Sequence, residues 1–107
     1  MAAGRVVETE HFESLADGVS GGMDEDSITL PLAMAVVDQV IECDETEIHS
    51  ALESLAFDEN LVVEGSAALA LAGSNKVAEA VAGKTSILIL CGGNLSRDFV
   101  VKRILKL

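Results

Sequence analysis

Residues 85–90, TSILIL, form a short β-branched apolar run that stops abruptly at Cys91, Gly92, Gly93 and Asn94. Six such residues are too few for a stable helix and suit a buried strand, which places the Cys-Gly-Gly-Asn turn at the strand's carboxyl end. Two earlier runs share this character. VIEC (40–43) reads as a second short strand, and RVVE (5–8) as an edge strand or extended entry, followed by EHFESLADGVSGG, whose glycine-rich end reads as loop.

Between these runs the apolar spacing becomes helical. In SITLPLAMAVVDQV (27–40), Leu30, Met34 and Val37 fall at i, i+4 and i+7, Ser27 is placed to cap, Pro31 stays within the first turn, and the helix is expected to end near Asp38. Asp44 opens a second helix, with Glu47 reaching back from the third helical position and Ile48, Ala51, Leu52 and Leu55 forming the apolar stripe until FDEN (57–60) ends it. EGSAALALAG (64–73) predicts a helix packed closely through small side chains, continued through NKVAEAV (75–81) to Gly83 as its C-cap. SRDFVVKRILKL (96–107) predicts a last helix, with Asp98 early and Lys102, Arg103 and Lys106 late to complement the helix dipole. Strands alternating with helices predict an α/β fold, a layered open sheet with flanking helices, within one domain covering residues 1–107.

The composition narrows the function. Half of the 107 residues are apolar and three are aromatic, so a core must be built from Ala, Val, Leu and Ile, and disorder is disfavoured. Eighteen acids against seven bases give a formal charge of -11, which repels phosphate backbones and anionic lipid and argues against nucleic acid and membrane partners. Cys43 and Cys91 lack CxxC spacing and sit in apolar contexts, pointing to a reducing, cytoplasmic setting. No apolar run is long enough to span a bilayer, and MAAGRVVETEH has no continuous apolar region of the leader type, so a soluble, unexported chain is expected.

Several familiar motifs fail on inspection. Gly83-Lys84-Thr85 imitates the end of a phosphate-binding loop, but the leading glycine would have to be Ala78, and the segment precedes a strand where it should follow one. Asp24, Glu25 and Asp26 lack the alternate-ligand spacing, the mid-loop glycine and the closing glutamate of a calcium loop. His11 and His49, the two histidines, have no matching metal ligand at helical spacing, and no nucleophile elbow is present. Three segments remain: LADGVSGG (15–22), LVVEGSAALALA (61–72) and LILCGGN (88–94). Ligands in open α/β sheets collect beyond the carboxyl ends of strands, and the two glycines after Cys91 let backbone approach a flat ligand. Glu64 is unusual as an acid between an apolar run and an almost uncharged helix, a position that calls for a partner or for a helix-capping role.

The order SLADGVSGG, DSITLPL with VVDQV, DETEI, LVVEGSAALALA and LILCGGN resembles the C-terminal portion of serine/threonine dehydratases, pyridoxal-phosphate enzymes of the tryptophan synthase β type (fold type II), from about Ala3 to Asn94. Within that group it is closer to the threonine, serine and hydroxyectoine-utilisation dehydratases than to cysteine synthases. The resemblance implies a lyase that removes water and then ammonia from a small amino acid to give a 2-oxo acid, with pyridoxal 5'-phosphate as cofactor. It implies that Cys91 contacts the ring nitrogen, that Gly92 belongs to the same cofactor-binding turn, that Glu64 lies beside the cofactor, and that Gly18 lies near the ring and substrate. No catalytic residue is assigned within the chain. The family's Schiff-base lysine lies in an S-F-K-x-R-G-like segment, and its phosphate cup is a run of glycines; neither occurs here, and Lys76, Lys84, Lys102 and Lys106 stand in unlike contexts. The chain is therefore expected to be a partial domain, as a fragment, a truncated frame or one piece of a split protein, and inactive alone. Its expected partner is the missing N-terminal part or a separate subunit, and a homo-oligomer is allowed. The alternative is a non-catalytic binding or interaction module derived from the same fold, with its apolar Ala-rich segment covered by a partner.

Overall fold

The computed structural model describes residues 4–106. Ala3, where the resemblance begins, and Leu107, the last residue of the expected final helix, lie outside the described residues. In chain order, a 3-10 turn at Asp17–Val19 is followed by α1 (Thr29–Val36), α2 (Glu45–Phe57), α3 (Gly65–Lys76) and α4 (Arg97–Phe99), which runs directly into a π-helical turn at Val100–Ile104.

The second helix forms where its local chemistry predicts. The Asp44 carboxylate accepts from Glu47 N at 2.9 Å while the Glu47 carboxylate accepts from Asp44 N at 2.8 Å, closing a capping box. Its buried residues are Ile48, Ala51, Leu52 and Leu55, the expected stripe. At the far end, Asn60 adopts a left-handed backbone (φ +58°) and Leu61 N donates to Leu55 O at 2.8 Å, so the chain reverses within FDEN. The first helix also forms within the expected Ser27–Asp38 span, but Ile28 and not Ser27 is its N-cap residue, no side chain caps it, and it buries no residue.

The core lies between α2 and α3. Ala67, Ala68 and Ala72 of α3 meet the α2 stripe, with Ala16, Val63 and Ile104 completing the cluster and Cys43, Leu90 and Phe99 packed against it. Alanines at the crossing let the helix backbones approach closely. Lys76 ties the two helices at the surface, pairing with Glu47 at 2.9 Å and donating to Glu42 O at 2.8 Å. The C-terminal turn is fastened to α2 by His49 Nε2 donating to Arg103 O at 2.9 Å, by Lys106 pairing with Glu53 at 2.8 Å, and by burial of Ile104.

Two further expectations are corrected. The continuation of α3 to Gly83 is not helical: after Lys76 the backbone changes to a run of turns, with Val77 N bonded to Ser74 O and Ala80 N to Val77 O. Gly83 (φ +76°) closes that run instead of capping the helix. The larger correction concerns fold class. The described residues contain helices and turns but no strand, so the expected α/β layered sheet is not formed, and RVVE, VIEC and TSILIL are all irregular or extended. The cause lies in the ladder. A strand needs a neighbour's N–H and C=O groups, and among the described residues 40–43 and 85–90 make no backbone-to-backbone hydrogen bond with another segment. Two-residue alternation persists even so: Ile87 and Ile89 are 87% and 74% exposed while Leu88 and Leu90 are half-buried.

Candidate functional site

Three segments remote in sequence converge at the N-terminal end of α3. The first is the 3-10 turn carrying Gly18, the second is Glu64 with α3's opening residues, and the third is the turn at 92–94. Glu64 is the N-cap residue of α3, yet its carboxylate makes no cap bond. It reaches across to accept from Asn94 N at 2.7 Å, and Ser66 Oγ donates to its second oxygen at 3.4 Å. The Glu64 backbone N–H donates to Gly92 O at 3.2 Å, so one residue grips the 92–94 turn through both its main chain and its side chain.

Two glycines make that grip feasible. Gly92 has φ +101°, and a Cβ there would stand 2.6 Å from Glu64 Oε2 and 2.8 Å from its carboxyl carbon. Gly65 admits the loop from the other side, because a methyl group at that position would run into the Leu15 carbonyl. Gly18 faces the same group, its missing Cβ lying 3.1 Å from Ser66 Oγ and 3.7 Å from Glu64 Oε2.

These elements border a cleft of about 340 Å³, lined by Asp17, Gly18, Glu64, Gly65, Asn94, Leu95, Ser96 and Phe99, within the size range of small-molecule sites. Its charged groups are both acids, Asp17 and Glu64, and no lysine lines it. Lys76, Lys102 and Lys106 are paired elsewhere, with Glu47, Asp98 and Glu53.

Of the four residues expected at a cofactor, the structure brings Gly18, Glu64 and Gly92 together. Cys91 precedes Gly92 in the same turn, is exposed, and is not among the residues lining the cleft. Asn94, Ser66 and Asp17 belong to the arrangement without having been singled out as site residues. Asn94 was legible only as part of the LCGGN run, and no sequence signal connects it to an acid thirty positions earlier.

Cys43 is the contrasting thiol. It is half-buried beside α3, and burial, reinforced by the nearby Glu47 carboxylate, pushes its pKa above the ordinary thiol value.

A family profile described as pyridoxal-phosphate dependent enzyme matches residues 1–92. No curated protein sequence matches the chain.

Proposed function

The chain belongs to the pyridoxal-phosphate dependent enzyme family, and from that premise we propose that it is the C-terminal segment of a serine/threonine dehydratase, which eliminates water from a hydroxyamino acid and then releases ammonia. The observation that carries this reading is the convergence of Gly18, Glu64 and Gly92 beside the turn that bears Cys91. Members of the family bind pyridoxal phosphate, and the residues present suit one face of that group. The Cys91 side chain is exposed at the head of the turn, Gly93 has only the Val62 carbonyl near its missing Cβ and leaves that side open to a planar ring, and a thiol places no fixed negative charge opposite the ring nitrogen.

The two carboxylates of the cleft argue against its holding the phosphate, since like charges would meet there without a cation. In this reading the 91–93 turn would hold the ring, and groups outside residues 1–107 would hold the phosphate and supply the covalent anchor. Bound cofactor supplies an electron sink at the substrate's α-carbon, easing loss of the β-hydroxyl. Of this chain's residues, Glu64 holds the turn in place, Gly92 and Gly18 leave room for its carboxylate, and Cys91 would stand opposite the ring nitrogen. No lysine lies at the cleft, so the segment is inactive alone and works with the remaining part of the fold or with a partner subunit.

The test is co-expression with a polypeptide carrying the family's lysine segment and glycine cup, followed by measurement of bound-cofactor absorption and of 2-oxo acid formed from serine and threonine. The proposal expects both signals from the assembly and neither from the chain alone. Assembly with cofactor uptake but no turnover of either amino acid removes the dehydratase assignment. A stable chain that takes up neither partner nor cofactor supports the interaction-module alternative.

A further inference from the structure

Of the acids at the start of α2, Asp44 and Glu47 are accounted for by the capping box. Glu45 is not. Its two carboxylate oxygens accept separately from Ser14 Oγ at 2.6 Å and from Leu15 N at 2.8 Å, thirty or more positions earlier in the chain. Ser14 Oγ in turn accepts from Ala16 N at 3.0 Å. Three consecutive residues are thus fixed through one carboxylate. On their opposite side, the Leu15 carbonyl bears on Gly65 at the start of α3, and the Ala16 side chain is buried in the core. The loop is clamped between two helices. Directly after the clamp the chain enters the 3-10 turn, with Val19 N bonded to Ala16 O at 3.0 Å and Ser20 N to Asp17 O at 3.2 Å, and that turn presents Gly18 to Ser66 and Glu64.

We propose that Glu45 is a positioning residue for the candidate site: by holding Ser14 and Leu15 against α3, it fixes where the Asp17–Val19 turn places Gly18 beside Glu64. The functional meaning of this role rests on the cofactor reading given above, while the geometric role does not. Glutamine keeps one acceptor oxygen but presents an amide N–H₂ where the second donor needs an acceptor, so Glu45→Gln retains part of the clamp. Alanine removes all of it. The distinction from simple helix stability comes from Glu47→Ala, which also removes an acid from the first turn of α2 but touches neither Ser14 nor Leu15.

The experiment is amide hydrogen exchange with ¹H–¹⁵N NMR on the full 107-residue chain, without cofactor, comparing wild type with Glu45→Ala, Glu45→Gln and Glu47→Ala. Loss of a charge-assisted hydrogen bond predicts roughly ten- to hundredfold faster exchange at Leu15 in Glu45→Ala. Shifted Gly18 and Ser66 resonances should accompany it, Leu52 should be unmoved, and Glu45→Gln should fall between. Glu47→Ala should leave Gly18 in place. Equal Gly18 perturbation in Glu45→Ala and Glu47→Ala overturns the proposal, as does unchanged Leu15 exchange in Glu45→Ala. If Glu45→Ala proves too unstable for spectra, Glu45→Gln alone decides, by whether Leu15 and Gly18 respond while Leu52 does not. Since no cofactor is present, failure here is separate from failure of the dehydratase reading.

Discussion

Replacing Gly92 by alanine should disrupt the 92–94 turn through two separable costs. The first is conformational: with φ at +101°, a residue carrying a Cβ is strained by about 1–2 kcal/mol. The second is steric, because the new methyl would stand 2.6 Å from Glu64 Oε2 and 3.1 Å from Oε1. The carboxylate must swing away and surrender its bond from Asn94 N. Asn94 is exposed and rehydrates once released, so the net loss from that bond is about 1 kcal/mol. Together these give about 2–3 kcal/mol. Urea denaturation of Gly92→Ala with an unchanged slope would measure the sum, and faster exchange of the Asn94 amide would report the broken contact. The decisive comparison is a double-mutant cycle with Glu64→Ala. With the carboxylate removed, only the conformational cost remains, so Gly92→Ala should cost about 1 kcal/mol less in that background. An identical cost in both backgrounds would refute the argument that the methyl meets Glu64.

Gly65→Ala should be comparably damaging, by about 1–3 kcal/mol, because its methyl meets the backbone of Leu15, and a carbonyl clamped from behind by Glu45 has little freedom to retreat; thermal denaturation measures it. Leu52, 1% exposed in the α2–α3 core, should cost about 2–5 kcal/mol as Leu52→Ala, read by the same assay. Acid should weaken the fold through Glu47 and Glu53. The Asp44 backbone N–H and the Lys76 ammonium hold Glu47 below its ordinary value of 4.5, and Lys106 does the same for Glu53. A depressed carboxyl pKa stabilises the fold above the ordinary value, and that contribution is lost as pH falls through the lower, folded value. Urea midpoints should therefore drop between about pH 5 and pH 3, and less so in Glu47→Gln. Of the two thiols, exposed Cys91 should be alkylated well before half-buried Cys43, as peptide mass spectrometry of partly labelled chain would show; equal rates would contradict the packing of Cys43.

What was legible in the sequence was whatever is decided within one or two helical turns. The Asp44–Glu47 capping box, the stripe at 48, 51, 52 and 55, and the stop at FDEN depend on neighbours three or four positions apart, and all are found as expected. The strands depend on partners, and local pattern does not supply them. TSILIL kept the alternating burial of a half-covered strand without acquiring a ladder. Glu64 shows the same divide in a single residue. Its sequence position suggested a cap or a ligand, while its actual hydrogen bonds run to Asn94, whose place beside it is set by tertiary packing. Glu45 is a carboxylate among carboxylates, and its sequence carries no local sign of a partner thirty residues away.

The exposed alternation at Ile87 and Ile89 bears on function as well as on fold. Their side chains, with those of Leu61, Val62 and Val40, leave β-branched and leucine surface in contact with water outside any helix, and burying each such side chain is worth about 1.5–3 kcal/mol. The candidate site is not built on that surface. Glu64, Gly65 and the 14–18 loop are fixed by α2 and α3, whose core is closed. The half of the cleft that holds Gly18 and Glu64 thus rests on a preformed helical pair, whereas the turn bearing Cys91 hangs from an extended segment anchored inward by Leu90 and across by the Glu64 grip. Covering of residues 85–90 by a partner should increase order most at Cys91 and least at Gly18. Hydrogen exchange before and after assembly would distinguish the two, and equal protection gained at both would mean that the helical pair was not preformed.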